Sequence, residues 1–263
     1  MAFIAAKCTQ CGANIEVDDT KDAGICPHCG TAFVTEKVIN NYTVNINASV
    51  FNEEMSMENI YILARRAAEN KNYDNAEKYY EMILLKDPSD WEANFGAVFY
   101  KSMQTNIEGI SNATVDVFNN LDTTFSLIKN ISSRADEISA VKDIYTLTFG
   151  MACLFYNNSV EVYNNIDQRI KRDFYDGHID RVSSCCALLY KLGDMIDNYY
   201  HKNNVIGSLA TNAWKEGVGK NTEFYKNLFG KNKKQHKKII KRYVKKIKEY
   251  EPSYRRPRRF LFF

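Results

Sequence analysis

The sequence predicts a mainly α-helical protein with a small β unit at its N-terminus. Its 263 residues include only four prolines and twelve glycines. The long stretches between them are compatible with helices, which favours a helical body over a sheet rich in tight turns. Four of the seven cysteines lie within residues 8–29, so we treat the N-terminus as a separate unit. The predicted division of the chain is 1–37, 38–56, 57–230 and 231–263.

The N-terminal region, residues 1–37, carries two Cys-x-x-Cys motifs that are each followed by glycine, CTQCG and CPHCG. A Cys-x-x-Cys turn places two thiolates at adjacent corners of a zinc tetrahedron, and the glycine tolerates a positive φ. Fourteen residues separate the two pairs, which leaves room for a hairpin with NIEV as its first strand and TAFV as its return. The predicted ligands of one structural Zn²⁺ are Cys8, Cys11, Cys26 and Cys29.

Two other uses of these cysteines are disfavoured. A redox dithiol needs one Cys-x-x-Cys in a βαβ setting, whereas the motif is duplicated here. A catalytic zinc keeps a coordination position open, whereas four thiolates fill the tetrahedron. A structural zinc instead supplies the folding energy that about forty residues cannot obtain from a core.

This region resembles the zinc-ribbon family, and the four cysteines carry the resemblance. Acidic residues outnumber basic ones around them, which favours a protein contact or a capping role over phosphate binding. His28 is expected to be an exposed turn residue. Residues 38–56, rich in Asn, form either an extended edge strand or a flexible tether, with a domain boundary near residue 50.

Residues 57–91 show two apolar stripes at helical spacing, separated by KNYDN and ending before Pro88, which predicts a helical hairpin. The hairpin resembles the tetratricopeptide repeat at Leu63, Ala64, Tyr73, Ala76, Tyr80 and Pro88. Ile60 and Ala67 replace two aromatic residues of the family pattern, and the repeat signature is lost after residue 105. One repeat buries its apolar face only against a neighbour. We therefore predict a compact tetratricopeptide-like helical body.

Further helical stripes follow. The clearest is Val182, Cys185, Leu189, Leu192, Ile196 and Tyr199, and another is predicted over 163–174; both are interpreted as core. The uncharged segment 144–160 is interpreted as a buried helix, because polar residues interrupt a run too short for a membrane span. The cysteines at 153, 185 and 186 are expected to be buried and inert.

Charge is divided unevenly along the chain. Residues 231–263 hold fourteen Lys and Arg against two acids, a balance of +12, whereas the first 230 residues carry −9. Residues 239–250 form an amphipathic basic helix that ends near Pro252. In one interpretation its apolar face caps the helical body and its lysines are solvated. In the others its basic face binds RNA or DNA phosphates or, less favoured, an anionic membrane surface or an acidic partner. The candidate phosphate or acidic-partner residues are Lys237, Lys238, Lys241, Arg242, Lys245, Lys246, Arg255, Arg256, Arg258 and Arg259.

The order of ribbon, linker, helical repeat and basic end resembles a group of bacterial proteins that join a zinc ribbon to tetratricopeptide repeats. The resemblance implies a zinc-bound, non-enzymatic interaction protein. No nucleophile elbow, phosphate loop or metalloprotease helix occurs in the sequence, so we expect neither catalysis nor a small-molecule substrate. The expected role is a cytoplasmic adaptor that binds a protein partner; the alternative is a nucleic-acid-associated factor acting through the basic end.

Overall fold

The structure is a computed structural model, and it describes residues 3–7, 13–18, 23–28, 32–34, 55–203, 205–225, 228 and 230–256. The chain divides into two compact units, Met1–Asn59 and Ile60–Phe263. The expected linker, residues 38–56, lies almost wholly outside the described residues. The mainly helical fold class is confirmed.

The first unit contains two antiparallel strand pairs. The strands are β1 (Phe3–Lys7), β2 (Asn14–Asp18), β3 (Ala23–Ile25) and β4 (Ala32–Val34). β1 pairs with β2 and β3 pairs with β4, so the expected pairing of NIEV with TAFV is wrong. Both pairs join strands that are consecutive in sequence, and such short connections cost less loop-closure entropy than the pairing of β2 with β4 would.

Eight helices follow in the described residues. They are α1 (Met57–Glu69), α2 (Tyr73–Lys86), α3 (Trp91–Met103), α4 (Ile110–Ile128), α5 (Arg134–Asn165), α6 (Tyr175–Tyr200), α7 (Gly207–Tyr225) and α8 (Gly230–Tyr250). In the second unit, α2 packs on α3 and α3 on α4, while α6 contacts α4, α5 and α7, and α8 packs on α7. The helix α6 therefore forms the centre of the helical core.

Helices α1 and α2 form over the residues of the hairpin predicted from the sequence. Asn72 caps α2 by accepting a hydrogen bond from the backbone N–H of Asn75 at 3.3 Å, and Asp90 caps α3 in the same way. The small residues Ala64 and Ala76 are fully buried. Both alanines therefore belong to the core of the helical body.

Helix α5 is the one helix of the described chain that is long and apolar enough, by length and composition, to cross a membrane. It packs on α6 within the helical body, and the face that includes Ile144, Thr148, Ala152 and Phe155 is buried. One face of the segment 144–160 is thus buried as predicted, whereas Thr146, Gly150 and Leu154 are exposed.

The stripe predicted over 163–174 is wrong. Helix α5 ends at Asn165 and the following residues form turns, with Ile170 and Phe174 both exposed. The carboxylate of Asp167 accepts a hydrogen bond from the backbone N–H of Arg169 at 2.9 Å. Such local side-chain capture of the backbone competes with helix formation and explains why the chain turns here.

Candidate functional site

A cleft in the helical body has a volume of about 760 Å³ and lies between α1, α3 and α5. Its apolar lining includes Trp91, Phe95, Ile144 and Leu147. Tyr80 of α2 also lines it, and its ring stacks on that of Tyr100 with a centroid separation of 5.6 Å. The cleft thus combines an aromatic wall from the hairpin region with one face of α5.

Close packing at Gly96 shapes this wall. A Cβ atom at position 96 would lie 2.6 Å from the Tyr80 ring, so only glycine lets the ring lie flat against α3. The ring hydroxyl donates to Glu92 Oε1 at 3.0 Å. Burial, followed by the nearby Glu92 carboxylate, raises the pKa of Tyr80.

The Arg65–Glu92 ion pair ties α1 to α3 inside the cleft. Arg65 Nε donates to Glu92 Oε1 at 2.9 Å, and its Nη2 donates to Oε2 at 2.5 Å. Above them, the Tyr61 hydroxyl donates to the carboxylate of Asp90. The bidentate pair balances the charges of Arg65 and Glu92 against each other.

Three further carboxylates line the cleft, those of Glu69, Asp136 and Asp143. All three residues are exposed, and within the described part of the chain none has an ion-pair or side-chain hydrogen-bond partner. Partial burial raises the pKa of Asp143, and the Glu92 carboxylate raises it further. The cleft is therefore an aromatic groove with a net negative rim.

The basic helix α8 is held against the body by Asp194 of α6. This carboxylate accepts hydrogen bonds from Trp214 Nε1 at 3.0 Å, from the Tyr243 hydroxyl at 2.8 Å and from Lys246 Nζ at 2.8 Å. The Tyr243 ring stacks on Tyr190 with centroids 3.9 Å apart. The apolar face of α8 therefore packs on the helical body.

The predicted phosphate-binding residues divide into two groups. Lys246 is held by Asp194, whereas the others of α8 are exposed: Lys237, Lys238, Lys241, Arg242 and Lys245. Arg255 and Arg256 are also exposed, and Arg258 and Arg259 lie outside the described residues. The structure therefore presents a basic face on α8 opposite its packed face.

Of the predicted zinc ligands, Cys8, Cys11 and Cys29 lie outside the described residues. Cys26 is described, follows β3 directly and is buried. The described residues contain no group of three or more His, Cys, Asp or Glu placed to hold a metal. Each Cys-x-x-Cys begins directly after the first strand of an antiparallel pair, and His28 is an exposed turn residue as expected.

Sequence reasoning missed a buried polar cluster between α5 and α6. Ser159 Oγ lies 3.3 Å from His178 Nδ1 and accepts a hydrogen bond from Arg181 Nε at 3.1 Å. The His178 ring stacks on Tyr163, and both Ser159 and His178 are buried. Burial, then the Arg181 charge, lowers the pKa of His178 to about 4. Because Ser159 and His178 are both buried, they are inaccessible to a substrate. Their hydrogen bond is a packing contact between α5 and α6.

The thiols of the helical body are weakly acidic. Burial raises the pKa of Cys153 to about 11 and that of Cys185 to about 12, and it also raises the pKa of Cys186 well above its ordinary value. Cys185 and Cys186 are buried, as predicted, whereas Cys153 is half-buried. Because the thiolate is the reactive form, these residues have the properties of packing cysteines.

Comparisons of the chain with protein-family models, with curated proteins and with solved structures give no match.

Proposed function

We propose that the protein is a non-enzymatic adaptor whose helical body binds a segment of a partner protein in the cleft between α1, α3 and α5. The observation that carries this proposal is the combination of volume and lining. A cleft of about 760 Å³ with aromatic walls accepts several side chains of a peptide, and a few polar groups at its rim fix their orientation.

The chemistry of the lining supports binding over catalysis. The titratable residues Arg65 and Glu92 neutralise each other, and the described residues of the cleft include no Ser, Cys or Lys nucleophile hydrogen-bonded to a base. Ser139 lines the cleft and is exposed, and no side-chain hydrogen bond to it occurs among the described residues.

A blocking variant tests this proposal in the full-length protein. Random peptides displayed on phage are selected on the wild type, and the binders are measured by fluorescence polarisation on Ser139→Trp and Ser208→Trp. Ser208 is exposed on α7 and lies away from the cleft. We expect Ser139→Trp to abolish binding and Ser208→Trp to leave it unchanged. If the two variants bind equally, the cleft is not the binding site.

We also propose that one Zn²⁺ holds the N-terminal unit through Cys8, Cys11, Cys26 and Cys29. The support is topological: both cysteine pairs lie where one strand of an antiparallel pair gives way to the next, and four thiolates suit a closed tetrahedral zinc. Metal analysis of the purified protein should give one equivalent of zinc. Cys26→Ser should release it while helical circular dichroism is retained; full metal content in this variant would contradict the ligand set.

A second candidate function rests on the exposed basic face of α8. In the described part of the chain no carboxylate pairs with Lys237, Lys238, Lys241 or Lys245. No large apolar residue is exposed on the described part of this helix, which favours a phosphate backbone over a lipid surface. This face would bind RNA or DNA without reading bases.

The quadruple variant of these four lysines to Gln tests the second function. Binding of a fluorescent 20-nucleotide RNA should fall by at least about tenfold, and the residual binding should depend less steeply on salt. Lys78 and Lys101 changed to Gln serve as a control on distant helices. Wild-type affinity that does not change between low and moderate salt would remove this candidate.

A further inference from the structure

The cleft has a charge pattern that selects among peptides. Glu92 is neutralised by Arg65, which leaves Glu69, Asp136 and Asp143 as uncompensated carboxylates. No lysine occurs among the residues that line the cleft. The rim is therefore negative by about three charges near neutral pH, at typical carboxyl pKa values.

The position of Asp143 adds a second argument. This residue lines the same cleft as the Arg65–Glu92 pair, from α5; burial and then the Glu92 carboxylate raise its pKa, whereas the Arg65 charge lowers it. Because both Glu92 oxygens already accept hydrogen bonds from Arg65, a ligand cation in this part of the cleft would pair with the Asp143 carboxylate. An anionic ligand would be repelled by the carboxylates of the rim.

Aromatic rings lie beside these charges. Trp91, Phe95 and Tyr100 line the same cleft, and ring faces attract cations as well as apolar side chains. From this juxtaposition we infer that the cleft binds a cationic peptide segment in which Arg or Lys alternates with apolar side chains. This inference rests on the function proposed for the cleft and names the class of partner.

Three labelled nonapeptides with identical Phe and Leu residues, and with Arg, Gln or Glu at the alternating positions, test the inference on the full-length protein. The Arg peptide would form three exposed ion pairs with the rim carboxylates, each contributing a few tenths to about 1 kcal/mol. We therefore expect it to bind about tenfold more tightly than the Gln peptide. The advantage should shrink when salt rises from about 50 to about 500 mM. The Glu peptide should bind weakest.

Variants locate the selectivity. Asp143→Lys should weaken the Arg peptide by about tenfold and leave the Gln peptide within about twofold. Asp122→Asn removes an exposed carboxylate on α4 outside the cleft and should change neither. Equal binding of the Arg and Gln peptides would overturn the inference while leaving the proposed function standing. If no peptide binds, or if Ser139→Trp fails to block binding, the proposed function itself is overturned.

Discussion

Asp194 is the side chain whose loss should most weaken the attachment of α8. Its two oxygens serve Trp214, Tyr243 and Lys246 from two different helices. Trp214 is fully buried and Tyr243 is nearly so. In Asp194→Ala the indole N–H and the phenol O–H would lose their acceptor inside the core.

The cost follows from those groups. Each buried donor left without an acceptor costs about 1–3 kcal/mol. The Lys246 ammonium is partly exposed and adds only about 0.5 kcal/mol after solvent screening. We expect Asp194→Ala to lower the free energy of unfolding by about 2.5–6.5 kcal/mol. Asp194→Asn keeps one acceptor oxygen and should cost about 1–2 kcal/mol.

Urea unfolding followed by far-ultraviolet circular dichroism measures these differences, and amide hydrogen exchange shows whether α8 opens first. Asp122→Ala is the matched control, because Asp122 pairs with Lys191 at 2.6 Å on the surface and such pairs contribute little. A difference of less than about 1 kcal/mol between Asp194→Ala and Asp122→Ala would refute this role of Asp194. Amide exchange in α8 that is no faster in Asp194→Ala than in wild type would refute it as well.

Three further predictions concern the core. A Cβ at Gly193 would lie 2.4 Å from Trp214 Nε1, so Gly193→Ala should lower stability by about 1–3 kcal/mol. A Cβ at Gly150 would meet nothing within 4 Å, so Gly150→Ala should raise stability by about 0.5–1 kcal/mol. Thermal unfolding measures both, and equal melting temperatures of the two variants would contradict the packing. Because the pKa of His178 falls from 6.5 to about 4 on folding, the stability contributed by neutral His178 is present above pH 6.5 and is lost as pH falls towards 4. The free energy of unfolding in urea should therefore depend less on pH between 6.5 and 4 in His178→Gln than in wild type, and an unchanged pH dependence would refute this. Burial raises the pKa of Glu137, but its three hydrogen bonds outweigh burial and lower the pKa from 4.5 to about 2. In wild type the stability that ionised Glu137 contributes is therefore lost as pH falls from 4.5 to 2, and Glu137→Gln should reduce this loss by about 1–2 kcal/mol, a figure discounted for its half-exposed basic partners. Acid unfolding identical to wild type would exclude this contribution.

The helical stripes were predictable where periodicity and burial agree. In α6, the residues from Val182 to Ile196 that recur every three or four positions are fully buried, and only Tyr199, at the end of the stripe, is partly exposed. Periodicity failed over 163–174, because the spacing of Ile170 and Phe174 is helical while the local hydrogen bonds of Asp167 turn the chain. A period of 3.6 identifies a face, but it does not identify competing side-chain bonds to the backbone.

The cleft was not predicted, because its walls come from segments far apart in sequence. The repeat-like spacing predicted α1 and α2, but it carries no information on where α5 packs. Arg65 and Glu92 are 27 positions apart, and Asp143 follows only on α5. The net charge of the chain also gives no indication of the cleft, because it sums the three carboxylates of the rim with all other charges of the protein.

The division of charge between body and C-terminal end takes a different form in three dimensions. Helix α8 supplies both a core face, through Tyr243 on Tyr190 and Lys246 on Asp194, and a solvated basic face. Truncation after Gly230 would therefore remove positive charge and uncover buried aromatic surface at once, so a loss of binding could not be assigned to either. Substitution of the exposed lysines alone keeps the contacts with the body, and it isolates the electrostatic contribution that a phosphate backbone would require.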